Sequence, residues 1–76
     1  MALSGETLAK VKVRQSLPSP AARRAIRTAA GLSQSDVARE VGVSTETISR
    51  WEAGTVAPQH RHLVTYAQVL EDLRSL

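Results

Sequence analysis

Residues 32–54, LSQSDVAREVGVSTETISRWEAG, constrain the fold more than any other part of the chain. Ser33 can cap a helix because its hydroxyl can accept a hydrogen bond from a free amide of the first turn. Gly42 follows the last apolar position of that helix, where a left-handed residue commonly ends it. Ser44 is a second candidate cap. The stretch therefore predicts two short helices joined by a sharp turn, and helices this short need a scaffold to be stable.

The apolar residues of these two helices recur at helical spacing. Val37, Ala38 and Val41 form one face of the first helix. Ile48 and Trp51 lie three residues apart on the second. A lone tryptophan could also stack on nucleic-acid bases. The spacing from Ile48 favours the core for Trp51, as expected for one face of an amphipathic helix.

Residues 1–17 form a basic segment with three possible structures. Ser4 as a cap, with Leu8 and Val11 on one side, is typical of a helix. The alternation of lysine and valine over residues 10–14 suits a short strand equally well. A disordered basic arm is the third alternative. We favour the helix.

Residues 18–76 form the second unit, in which one helix precedes the central stretch. Ser19 followed by Pro20 at the first helical position is a good start signal, and Gly31 is the expected end. The residues expected to face inward are Ala22, Ile26, Ala29 and Ala30, and those expected to face solvent are Arg23, Arg24 and Thr28.

Another helix follows the central stretch and begins at Pro58. Its predicted buried stripe consists of Leu63, Tyr66, Ala67, Leu70 and Leu73. A second apolar line, Val64, Val69 and Leu76, lies off that stripe and must cover something, either the N-terminal segment or another subunit. We predict an all-α fold: a compact domain of four to five helices with an N-terminal extension.

Composition narrows the classes of protein to consider. The 76 residues suffice for one small domain, and the absence of cysteine leaves neither a disulfide nor a Cys-type zinc site. No apolar run approaches the ~20 residues of a membrane helix, and no signal peptide is visible. Six of the ten basic residues fall in the first 27 positions: Lys10, Lys12, Arg14, Arg23, Arg24 and Arg27. This uneven charge suggests a polyanionic partner, although solubilising charge explains it equally well.

Candidate catalytic and metal sites have simpler explanations. His60 and His62 would point apart on a helix, so we interpret them as exposed or capping residues. The polar side chains of Ser33, Ser35 and Asp36 suit capping and turns. No glycine-rich loop follows a strand. We therefore expect neither enzymatic activity nor a cofactor, metal or small-molecule ligand.

The exposed positions of the second central helix have side chains suited to reading base edges. They are Thr45, Glu46, Thr47, Ser49 and Arg50. Arginine can donate to O6 and N7 of guanine, and glutamate can accept from N4 of cytosine. The alternative is an ordinary solvated helix face.

Residues 20–70 resemble the phage repressor and Cro helix-turn-helix family, also called XRE-type. The matching positions are 32–34, 37–38, 41–44, 47–49 and 51–54. The resemblance implies that residues 44–52 form a recognition helix that lies in the major groove of DNA.

The family pattern also implies roles for individual residues. Base contacts map onto Thr45, Glu46, Ser49 and Arg50, with Thr47 nearby. The family's phosphate-contacting glutamine matches Gln34. We also expect phosphate contacts from Ser44, Arg23, Arg24 and Thr55. An arginine of the first family helix pairs with the glutamate that ends the recognition helix, which implies an ion pair between Arg27 and Glu52.

The chain departs from the family in three respects. Many members begin the recognition helix with glutamines, whereas Thr45 and Glu46 stand here, so no base preference carries over. The loop after Gly54 lacks the lysines often found there. The fifth family helix, which helps dimerisation, has no counterpart. We expect either that residues 1–17 replace its packing or that the chain is part of a longer repressor.

The sequence thus predicts a sequence-specific transcriptional regulator that binds double-stranded operator DNA in the cytoplasm of a bacterial or phage-infected cell, at the nucleoid. The alternative is an antitoxin or adaptor that retains the fold but binds a protein. We expect a weak or DNA-assisted homodimer, formed through the second apolar line together with Leu8 and Val11, and no membrane association.

Overall fold

The computed structural model describes residues 4–76, without the side chains of residue 10 and residues 13–16. This part of the chain forms five α-helices and no strand. The helices are α1 (Gly5–Ser16), α2 (Pro20–Ala29), α3 (Gln34–Val41), α4 (Thr45–Ala53) and α5 (His60–Arg74). The prediction of an all-α fold is confirmed. None of the helices described is long and apolar enough to cross a membrane.

The N-terminal basic segment contains α1, so the helix is the one of the three alternatives that is present. The Ser4 hydroxyl accepts a hydrogen bond from the amide of Thr7 at 3.1 Å and caps the first turn. The helix packs along α5. Leu8 and Val11 nevertheless remain exposed. After α1, Leu17 packs against the core, which ties the segment to the rest of the domain.

Helix α2 begins as predicted, at Pro20 behind a Ser19 cap. Its orientation was predicted only in part. Ile26 packs against the core, but Ala29 is exposed and Arg23 is buried. The prediction that Arg23 faces solvent is therefore wrong. Its long side chain, like that of Arg27, lies inside because partners for the guanidinium group are available there, as described below.

The core lies where α3, α4 and α5 meet. Its buried members are Val37, Ala38, Val41, Ile48, Trp51, Tyr66 and Leu70. Trp51 and Tyr66 pack ring to ring, with centroids 4.8 Å apart. A tilted aromatic pair at this distance contributes beyond the area that it buries. The interpretation of Trp51 as a core residue is confirmed.

Helix α5 begins at His60 rather than at Pro58. Its N-cap is Gln59, whose side chain makes no capping hydrogen bond. The predicted stripe is present: Leu63, Tyr66 and Leu70 are fully buried, and Ala67 and Leu73 are half-buried.

The second apolar line of α5 is only partly separate from the core. Val69 packs against the core cluster, so its placement off the buried stripe is wrong. Val64 and Leu76 are exposed as predicted.

Candidate nucleic-acid interface

The turn between α3 and α4 fixes the angle at which α4 is presented. Helix α3 ends at Val41, and the residue that follows, Gly42, has a φ of 88°, in the left-handed region that glycine adopts without a steric penalty. The amides of Gly42 and Val43 both donate to the carbonyl of Ala38, at 2.8 and 3.0 Å. Ser44 then caps α4 by accepting from the amide of Thr47 at 3.1 Å. The turn therefore consists of only three residues, 42–44, and its hydrogen bonds hold α3 and α4 at a fixed angle.

A reciprocal cap fixes the start of α3. The Ser33 hydroxyl accepts from the amide of Asp36 at 3.0 Å, and the Asp36 carboxylate accepts from the amide of Ser33 at 2.8 Å. Hydrogen bonding from the Ser33 backbone amide, with a further contribution from the Ser33 hydroxyl, lowers the pKa of the Asp36 carboxyl. The first residue of the helix, Gln34, is thereby held at the edge of the domain, where it is half-buried.

Helix α4 has one buried and one exposed side. Ile48 and Trp51 anchor it in the core. The exposed residues include four of the five predicted base contacts: Thr45, Glu46, Ser49 and Arg50. The fifth, Thr47, is half-buried, and its hydroxyl shares a 2.8 Å hydrogen bond with that of Ser44. The structure thus brings four of these side chains to one surface and ties Thr47 to the cap.

Two exposed residues of α4 form an ion pair that was not anticipated from the sequence. Arg50 Nη2 lies 2.6 Å from Glu46 Oε1. The side chains are 56% and 70% exposed, respectively. The spacing of four residues, with the acid first, is the local signal that could have indicated this pair.

The predicted phosphate contacts lie in different surroundings. Ser44, Thr55 and Arg24 are exposed. The Thr55 hydroxyl donates to the carbonyl of Arg50 at 3.2 Å, which closes the end of α4. Gln34 donates from Nε2 to Oε1 of Glu52 at 3.1 Å. Its amide oxygen accepts no hydrogen bond from the described residues, so it can still accept one from a partner.

Arg23 is engaged inside the protein. Its Nη1 donates to the carbonyl of Pro18 at 2.7 Å, and its Nη2 donates to the carbonyl of Trp51 at 2.9 Å. The guanidinium carbon lies 5.7 Å from the centre of the Tyr66 ring, within cation–π range. With a residue exposure of 6%, Arg23 joins α2 to the end of α4 and is poorly placed for a phosphate. This geometry favours a structural role over the phosphate contact expected from sequence.

Arg27 and Glu52 form the ion pair that the resemblance implied. Nε and Nη2 of Arg27 donate to the two carboxylate oxygens of Glu52 at 2.7 and 2.9 Å, a bidentate contact. Nη1 of Arg27 donates to the carbonyl of Leu32 at 2.7 Å. The side chains of the pair are only 9% and 3% exposed. The contact therefore locks α2, the start of α3 and the end of α4 together.

The pair also determines the charge state of its members. Burial alone would raise the pKa of the Glu52 carboxyl, but the hydrogen bonds from Arg27 and Gln34 and the positive charge of Arg27 lower it further than burial raises it. The net pKa of Glu52 lies below its usual value. The hydrogen bond to Glu52 in turn raises the pKa of Arg27. Both groups are therefore ionised at neutral pH.

The two histidines near the start of α5 lie in different surroundings. His60 is exposed, whereas His62 is half-buried against Trp51, with ring centroids 6.2 Å apart. His62, Gln59, Thr47 and Arg50 line a crevice between α4 and the start of α5, which the sequence did not indicate. Among residues 4–76, no group of three or more potential metal ligands occurs.

A family model described as helix-turn-helix matches residues 24–73. The match spans α3 and α4 entirely, together with most of α2 and α5, and it leaves α1 outside. No curated protein and no solved structure matches the chain.

Proposed function

Because the chain belongs to the XRE-type helix-turn-helix family of DNA-binding regulators, we propose that it is a sequence-specific transcriptional regulator of the phage repressor or Cro kind, which reads an operator through the major groove with α4. Such a protein would act on DNA in the cytoplasm of a bacterial or phage-infected cell. We propose no catalytic role for the residues of this interface.

The division of α4 into two sides is the observation that carries this proposal. Ile48 and Trp51 hold the helix rigidly, while the other side presents short hydroxyls, a carboxylate and one guanidinium to solvent. Helix-turn-helix proteins place such a face against base edges in the major groove. We propose base contacts by Thr45, Glu46, Ser49 and Arg50, with Thr47 supporting the start of the helix.

Phosphate contacts would fix the register of α4 on the duplex. We retain Gln34, Ser44, Arg24 and Thr55 for this role. Gln34 and Ser44 lie at the starts of α3 and α4, where free amides and the positive end of the helix dipole favour an anion.

Binding as a pair would provide the affinity that one small module lacks. A single reader buries only ~600–1,000 Å² on DNA. Two copies on a palindromic site would set their recognition helices about 34 Å apart. We propose weak, DNA-assisted pairing through the exposed apolar residues of α1 and α5. These are Leu8, Val11 and Val64, together with Leu76, which follows the end of α5. A strictly one-to-one complex on a palindromic site, measured by sedimentation with and without DNA, would contradict this assembly.

Selection of binding sites from random double-stranded DNA tests the regulator proposal. We expect one enriched sequence, bound more tightly than its scrambled version. The logarithm of the binding constant should fall steeply with the logarithm of salt concentration, by about 0.9 per phosphate contacted. Absence of an enriched sequence, together with weak binding that is insensitive to salt, would contradict the proposal.

The exposed apolar residues of α1 and α5 also support a second candidate function. They would suit an antitoxin or adaptor that uses this fold to bind a protein, since exposed apolar side chains can contribute to such a surface. Stable capture of a protein partner by a chain that selects no DNA sequence would favour this alternative.

A further inference from the structure

The ion pair between Glu46 and Arg50 lies in the middle of the proposed reading surface. Arg50 is the only long cationic side chain of α4, and the acid that holds it projects from the same exposed face one turn earlier. We propose that Glu46 is a positioning residue that directs Arg50 to guanine and so determines the sequence preference of α4. This inference rests on the proposed DNA-reading function.

A carboxylate on a helix that approaches DNA is unfavourable unless it has a specific task, because it repels the phosphates. The other acid of α4, Glu52, is buried in its pair with Arg27 and does not face the duplex. Glu46 therefore brings the only negative charge of α4 to the reading surface. Its contact with Arg50 offsets this charge locally, at the position where a base reader is needed.

The contact leaves most of the guanidinium free. Arginine has five N–H donors in a rigid fork. Within the part of the chain that the structure describes, one Nη2 contact goes to Glu46, and no hydrogen bond involves Nη1 or Nε of Arg50. The remaining donors are sufficient for a bidentate contact with the O6 and N7 acceptors of guanine.

Holding Arg50 in place has two consequences for recognition. A long side chain that is already ordered loses less conformational freedom when it binds. The neighbouring carboxylate also disfavours contact of Arg50 with a phosphate, which is the usual alternative for an exposed arginine near DNA. Both effects favour a guanine edge over the sequence-independent backbone.

A double-mutant cycle measured on a series of duplexes tests this coupling. The proteins are the parent chain, Glu46→Gln, Arg50→Ala and the double variant. The duplexes are the sequence selected by the parent chain and versions in which each G·C pair is replaced in turn by A·T. Glu40→Gln, which removes the same charge from an exposed position of α3, is the matched control. All three substituted positions are exposed, and urea midpoints verify that each variant is folded.

We expect Arg50→Ala to reduce discrimination at one G·C pair by about 5- to 150-fold. Glu46→Gln should reduce discrimination at the same pair by about twofold, which is the limit set by the strength of an exposed i,i+4 ion pair, since Arg50 then has to be ordered on binding. The salt dependence of the Glu46→Gln variant should also become steeper, by about one phosphate contact, because Arg50 is free to reach the backbone. In the Arg50→Ala background, Glu46→Gln should have no further effect on discrimination at that G·C pair, whereas the base contact proposed for Glu46 would act at a different pair. Glu40→Gln should leave discrimination unchanged.

Unchanged discrimination in Glu46→Gln would overturn the positioning role. An equal effect of Glu46→Gln on that G·C pair with and without Arg50 would also overturn it, since Glu46 would then act on the pair independently. In both cases the parent chain still selects a site, so the regulator proposal survives. If the parent chain selects no DNA sequence, the regulator proposal and this inference fail together.

Discussion

Replacing Glu52 with glutamine perturbs the contact that joins three helices behind the reading surface. The substitution keeps the size of the side chain and one of its oxygens, but it removes the charge. An amide nitrogen then faces one of the two Arg27 donors, which lie 2.7 and 2.9 Å from the carboxylate oxygens. Because both side chains are more than nine-tenths buried, solvent cannot replace the lost partner.

The cost follows from the charge that remains. Removing one member of a buried ion pair destabilises a protein by about 3–5 kcal/mol. Arg27 keeps its hydrogen bond to the carbonyl of Leu32, and the glutamine oxygen can still accept one hydrogen bond. We therefore expect a loss near the lower end, about 3 kcal/mol. A chain of 76 residues has a free energy of unfolding of about 4–11 kcal/mol, so this is a large part of the total.

Urea unfolding followed by the fluorescence of Trp51 measures the loss. This residue is the only tryptophan, and it is buried beside Glu52. With a slope of about 1 kcal/mol per molar urea, the midpoint should fall by about 3 M. Glu46→Gln breaks an exposed pair and should cost at most about 0.5 kcal/mol. Similar midpoints for Glu52→Gln and Glu46→Gln would refute the reasoning.

Three further predictions concern stability. The pKa of Glu52 is lower in the folded state than in the unfolded state. The ionised carboxylate therefore contributes its full stabilisation above the unfolded pKa of about 4.3, and this stabilisation is lost as the pH falls through the folded value. Below about pH 4, urea midpoints of the parent chain should fall more steeply than those of Glu52→Gln. Gly42→Ala should cost about 1 kcal/mol of stability, because alanine is strained at a φ of 88°. Gly5→Ala, with open space around the added carbon, should not destabilise the protein. Equal urea midpoints for the two variants would contradict the strain argument. Arg23→Met should cost about 2 kcal/mol of stability, because the carbonyl of Trp51 in α4 and that of Pro18 before α2 lose a charged donor. Arg24→Met should change the free energy of unfolding by under about 0.5 kcal/mol and mainly weaken DNA binding. The reverse order of the two losses would contradict the assignment.

The helix caps and the turn, which were predicted correctly from the sequence, depend on contacts between residues that are close along the chain. Ser19, Ser33 and Ser44 each cap a helix by accepting from an amide three residues later. Gly42 adopts the left-handed conformation at the end of α3. These contacts span at most a few residues, so residue type and spacing are enough to predict them. The spacing of apolar residues along each helix likewise predicts the buried side, as it does for Ile48 in α4.

The orientation of α2 depends on partners that are distant in sequence. Arg23 reaches the carbonyl of Trp51, 28 residues away, and Arg27 reaches Glu52, 25 residues away. For Arg27 the family resemblance supplied the partner. For Arg23 nothing in the sequence did, and its charge alone suggested solvent. A long basic side chain is buried when acceptors lie within reach of its guanidinium group and its stem can pack on apolar surface. Whether those acceptors are within reach is settled only when α2 and α4 are packed together, so the tertiary structure decides it.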